Sequence, residues 1–189
     1  MRTIPRTHGA GRLAVAGFLL ACACAAPATE PAASQPVTQA VTASAAQWKA
    51  QDVTFTYMGF TAHYSCTGLR ERMLIVLREL GAGKPMELMD YGCADETFHR
   101  DRMPTVHMQF SSLQPGSGAA PVSGYWKQVN LVGPGKLDSG ECELMEQIVS
   151  DVLPHFTVRN VDKVPACMPH APTLVTAMRL EVFMPVPQN

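Results

Sequence analysis

The chain has 189 residues, of which 47% are hydrophobic and 16% charged, with a formal net charge of −1. Acid and base are interspersed without long runs, which argues against a nucleic-acid binder, since that class carries a basic patch or a high pI. Beyond the leader no apolar stretch approaches the roughly 20 residues needed to span a bilayer, so no later transmembrane segment is expected.

The leader reads first. Arg2, Arg6 and Arg12 precede an apolar and small-residue run from Leu13 to Cys24, and no acid occurs before Glu30. A basic start, a short apolar centre and small residues at its end describe a secretory signal peptide, taken here as residues 1–26. Leu19-Leu20-Ala21-Cys22 resembles a bacterial lipobox, which would make Cys22 the lipidated residue, although Leu20 departs from the usual pattern. Ordinary cleavage at Ala21-Cys22-Ala23 or Ala26-Pro27-Ala28 is the competing reading, and cleavage beyond Cys24 leaves four cysteines, an even number.

Residues 27–47 are nearly all Ala, Pro, Thr, Ser and Gln. Such a stretch buries too little area to offset its ordering entropy and is expected to be a disordered tether. Residues 48–189 then form the expected single domain, long enough for a real core.

Val53 to Tyr57 alternates apolar and polar, as a half-buried strand does. Leu69, Met73, Val76, Leu77 and Leu80 recur at helical spacing, and Gly81 and Gly83 end that helix. Met86 to Tyr91 reads as a strand. So does the segment in which Val106, Met108 and Phe110 oppose His107, Gln109 and Ser111. A Pro/Gly/Ser loop over 112–124 precedes a strand from Tyr125 to Val132. Asp138 with Glu141 three residues on predicts a capping box opening a second helix, striped by Leu144, Met145, Ile148, Val149 and Val152 and ended by Pro154. Phe156 to Val161 and Thr173 to Phe183 are the last two strands.

Each half thus reads strand, helix, strand, strand. The expectation is an α+β two-layer sandwich of two βαββ pseudo-repeats, ferredoxin-like in spirit, with a mostly antiparallel sheet and both helices on one face. Four cysteines lie beyond the leader, and the repeat favours Cys66–Cys93 and Cys142–Cys167 bridges. A reactive thiol is the rival reading for Cys66 at a helix start. No C-x-x-C occurs, however, and Cys142 sits between Glu141 and Glu143, whose charges disfavour a thiolate.

Motifs for chemistry are sparse. Gly116-Ser117-Gly118 lacks the outer glycine of a nucleophile elbow, and Gly133-Pro134-Gly135-Lys136-Leu137 lacks the spacer and hydroxyl of a phosphate loop. Eleven methionines, with His99, Met103 and His107 in one cluster and Met168 and His170 in another, admit a copper-handling reading through thioether and imidazole ligands. The other reading of most methionines is core filling. The uncovered sheet face should carry Thr54, Thr56, His107, Gln109, Arg179 and Glu181, with Trp126 and Tyr125 as aromatic anchors for a partner.

The expected function is therefore a non-catalytic exported bacterial envelope protein, periplasmic or lipid-anchored to the outer membrane. It would bind an envelope-protein or cell-wall partner through that face, without a cofactor. A Met/His copper handler and an enzyme with an unrecognised site are the alternatives.

Overall fold

The computed structural model describes residues 43–60, 62–91, 103–117, 122–162, 164, 166–168 and 173–187. The signal peptide, Cys22, residues 27–42 of the tether, Cys93, His99 and His170 lie outside the described residues. Among the described residues, six strands form one open antiparallel sheet: β1 (Ser44–Thr56), β2 (Gly83–Tyr91), β3 (Thr105–Pro115), β4 (Val122–Asn130), β5 (Val158–Arg159) and β6 (Arg179–Pro185). Their order is β2-β3-β1-β4-β6-β5. Two α-helices, α1 (Cys66–Glu79) and α2 (Cys142–Gln147), complete an α+β fold.

Period-2 alternation decides the faces. Val53 lies opposite Met108, Phe55 opposite Val106, and Val129 opposite Leu180. These residues are buried and join one cluster with Leu69, Met73, Val76 and Leu77 of α1 and Leu144 and Met145 of α2. Both helices therefore bury their apolar stripes against the same side of the sheet. Phe156 stacks on Phe110 in that cluster, with ring centroids 5.1 Å apart.

The sheet has a narrow waist. β1 pairs with β3 over eleven residues but with β4 only through Ser44–Ala46 against Val122–Gly124. A small second cluster of Ala46, Leu113 and Phe183, with Val122 and Trp126 against it, lies beside this seam on the side away from the helices. Gly124 is required there: a Cβ would meet the Phe183 ring at 2.5 Å and Leu113 at 2.9 Å.

Several boundaries differ from the sequence expectations, each for a local reason. β1 begins at Ser44, four residues inside the stretch read as tether, because Ala46 is buried against Leu113 and Phe183 and pairs on both sides. The 112–124 loop is shorter than expected, since β3 runs to Pro115 and β4 starts at Val122. α1 is capped by Ser65, whose Oγ accepts the Gly68 N–H at 3.0 Å.

The second helix opens at Cys142 rather than after Asp138. Only the glutamate half of the expected box forms, with the Asp138 N–H donating to Glu141 Oε2 at 2.6 Å. That helix then widens into a π turn over Ile148–Val152 and tightens into a 3-10 turn over Leu153–His155, which contains Pro154. β5 is two residues long because Phe156 turns inward to Phe110 and Asn160 adopts a left-handed φ of 51°. β6 begins only at Arg179, since the preceding backbone bonds to other segments instead: Val175 N–H donates to the Ser139 carbonyl and Met178 N–H to Asn130 Oδ1.

Cys142 and Cys167 are joined by a disulfide, with Cα atoms 5.8 Å apart. Cys66 is also disulfide-bonded, while Cys93, the partner expected for it, lies outside the described residues. The Cys142–Cys167 bridge closes a loop with a sequence separation of 25. The Cys142→Ala/Cys167→Ala variant should lose about 3 kcal/mol in guanidinium denaturation, following the loop-entropy estimate. An unchanged midpoint would show that the segment after Val161 is held by other contacts.

Candidate functional site

The side of the sheet away from the helices is the candidate site. Register places on it Glu87, Met89 and Tyr91 of β2, His107 and Gln109 of β3, Asp52, Thr54 and Thr56 of β1, Trp126 and Gln128 of β4, and Arg179 and Glu181 of β6. Large side chains stay open to solvent here: Trp48 is 39% exposed, Met89 41% and Tyr91 51%. The Trp48 indole lies over Gly83, where a Cβ would meet it at 2.7 Å.

Two polar groups occupy the face, one on each side of the seam. In the first, His107 stands opposite Thr54, and its Nδ1 is 3.3 Å from Thr54 Oγ1. Its Nε2 is 3.4 Å from Asp52 Oδ1, and Gln109 Nε2 donates to Asp52 Oδ2 at 3.1 Å. The Tyr91 ring meets His107 edge-on at 6.0 Å. Thr56 and Thr105 hydroxyls bond across the strands at 3.0 Å. An open cavity of about 270 Å³ adjoins this group, lined by Ala50, Gln51, Asp52, Pro85, Gln109 and Phe110.

In the second group, the Arg159 guanidinium sits 4.1 Å from the Trp126 ring centroid and donates to Glu181 Oε2 at 2.5 Å. Asn160 donates to the other Glu181 oxygen at 3.1 Å. The hydrogen bond from Arg159, and then that from Asn160, hold the Glu181 carboxyl below the usual carboxylate range.

Seven of the eight residues named for this face thus share one side of the sheet but do not form one platform. Thr54, Thr56, His107 and Gln109 make one group; Trp126 and Glu181 belong to the other, with Arg179 two residues from Glu181 on the same strand. The apolar seam of Ala46, Leu113 and Phe183 separates them. Tyr125 alternates onto the helix side, opposite Met184. Among the metal candidates, Met103 and Met168 are exposed in loops, at 56% and 61%, and His107 is on the sheet face. Among the described residues, no group of three or more His, Cys, Asp or Glu side chains converges as metal ligands would. No described helix is long and apolar enough to cross a membrane.

Sequence reasoning missed a buried polar knot beneath the helices. Glu141 and Glu143 look like exposed acids at a helix start, yet they are only 7% and 9% exposed. Glu143 Oε2 accepts from the Tyr57 hydroxyl at 3.2 Å and the Phe60 N–H at 2.7 Å. Glu141 Oε1 accepts from the Tyr64 hydroxyl at 2.5 Å and Arg72 Nε at 2.9 Å, while Arg72 also reaches Asp138 at 2.6 Å. Tyr57 and Tyr64 meet edge to face at 4.9 Å. The knot ties α1 and the loop after β1 to the start of α2. Only the acidic pair was visible in sequence, because its side-chain partners lie 69 or more positions away.

No family model, curated protein or solved structure matches the chain.

Both knot phenols are pushed above their ordinary range. Burial is the main cause, followed for Tyr57 by the charge of Glu143 and the bond to it, and for Tyr64 by the bond to Glu141 and its charge. A raised folded value stabilises fully below the unfolded phenol pKa of about 10, and that contribution is lost as pH rises through the folded value. Urea denaturation stability should therefore fall as pH rises above about 10, and fall less steeply in the Tyr57→Phe/Tyr64→Phe variant. Identical slopes in the two proteins would contradict the coupling.

Proposed function

We propose that this chain is an exported, non-catalytic bacterial envelope protein that binds an envelope-protein or cell-wall partner through its uncovered sheet face. One observation carries the reading. A six-stranded antiparallel sheet has both helices on one side and leaves much of the other to solvent, and on that open side Trp48, Met89 and Tyr91 are partly exposed beside ordered polar groups. A wet face is ordinary for an antiparallel sheet. Large aromatic and thioether side chains held in solvent are what binding surfaces use, and Arg159 stacked on Trp126 is an anchor of the same kind.

Sulfur chemistry supports an exported compartment. Bonded Cys142 and Cys167 fit an oxidising space, and the basic-then-apolar leader fits export into one. On this reading Cys22 is the candidate lipid attachment and residues 27–42 are the spacer leading to β1, so the membrane is reached only through that lipid. The strand order supports the pseudo-repeat reading: in each βαββ half the last strand lies between the other two, as β2-β3-β1 and β5-β6-β4. The near-neutral composition keeps nucleic acid out of the proposal.

A photo-crosslinking residue at Thr54 should give a discrete adduct in cells, while one at Glu71, on the exposed side of α1, should not. The His107→Ala/Arg179→Ala variant, with an unchanged circular dichroism spectrum, should lose the Thr54 adduct. The same adducts from both positions, or an adduct indifferent to those substitutions, would remove the sheet face from the function.

A further inference from the structure

Asp52 and Thr54 on β1, and Gln109 and His107 on β3, form a two-by-two cross-strand block in which Asp52 faces Gln109 and Thr54 faces His107. Three side-chain heads converge at its centre. His107 Nε2 is 3.4 Å from Asp52 Oδ1, Gln109 Nε2 is 3.1 Å from Asp52 Oδ2, and the Gln109 and His107 nitrogens are 3.4 Å apart. Donors bound at about 2.1 Å from a metal ion, at right to tetrahedral angles, lie about 3.0–3.4 Å from one another. The spacing of these three heads falls within that range.

The electrostatics point the same way. When Nδ1 carries the imidazole proton and donates to Thr54 Oγ1, Nε2 presents a lone pair toward the Asp52 carboxylate. Two acceptors then face each other, and the Gln109 amide donates into the space between them. Rotating that amide by half a turn exchanges its NH₂ for its oxygen and completes a set of imidazole nitrogen, carboxylate oxygen and amide oxygen. Thr54 Oγ1 then accepts from Nδ1–H and holds the ligating tautomer. The site is open to ions, with the Asp52 side chain 63% exposed and that of His107 20%. The adjoining cavity, to which Asp52 and Gln109 both contribute, leaves room for water or a further ligand.

We propose that His107, Asp52 and Gln109 form a binding site for a divalent transition-metal ion, positioned by Thr54. One imidazole with two oxygens selects borderline ions, with Cu²⁺ ahead of Zn²⁺ and the hard ions Mg²⁺ and Ca²⁺ behind. The set contains no thioether, which separates it from a methionine-rich Cu(I) site. The site shares the sheet face but does not rest on the partner reading, since ion binding is measured without any partner.

The test is a competitor-buffered titration of the disulfide-intact protein with Cu²⁺ alone, read by calorimetry and electron paramagnetic resonance. The expected result is one ion per chain, bound tighter than about 100 µM, with the superhyperfine pattern of a single imidazole nitrogen. His107→Ala should abolish this binding, and Thr54→Val should weaken it by about 10-fold or more. Zn²⁺ should also shield His107 of the unmodified protein from diethylpyrocarbonate, a readout that needs no variant. Absence of stoichiometric binding, binding unchanged in His107→Ala, or His107 modified equally with and without Zn²⁺ would overturn the site.

Discussion

One-sided burial of a single sheet governs this molecule. Along β3 the residues at 106, 108 and 110 are buried beneath the helices, while those at 107 and 109 stay partly open. Shifting that register by one residue would carry His107 into the core and Met108 into solvent. The same constraint runs through β1 and β6, where Phe55 and Val182 face the helices and Thr54 and Glu181 do not. Burial on one side thus sets which side chains can meet on the other, and both polar groups of the open face are by-products of core packing.

Two further devices hold the covered side together. The Cys142–Cys167 bridge ties the start of α2 to the segment that leads into β6. The Tyr57–Glu143 and Tyr64–Glu141–Arg72 contacts tie the same helix start to the loop after β1 and to α1. Buried carboxylates cost free energy unless their oxygens are satisfied. Here two phenols, two amide N–H groups and a guanidinium satisfy them, so the knot fixes how the helices meet rather than leaving an acid in an apolar layer. Lys136 extends this network, reaching Glu79 at 2.6 Å and the Asn130 carbonyl at 2.8 Å.

What was legible in sequence was what depends on period. Strand alternation placed Thr54, His107, Gln109 and Glu181 on one side, and helical spacing identified the stripe of α1. Contacts between distant segments were not legible. The pairing of β1 with β4 through only three residues splits the expected platform, and no local pattern announces so short a pairing. Asp52 carries no motif, and its place beside His107 follows from a register 57 positions long in sequence. The π turn in the second helix also escapes a 3.6-residue template, because its apolar residues still recur close to helical spacing.

The most direct test of one covered and one open face is hydroxyl-radical footprinting with residue-level mass spectrometry. Alternation predicts fast oxidation of Trp48, Met89 and Tyr91, and protection of Met73, Met108 and Met145, with His107 modified more readily than its buried neighbour Met108. Protection of Trp48, Met89 and Tyr91 together with fast oxidation of Met108 would mean that the sheet is covered on the other side, and the candidate face would no longer exist.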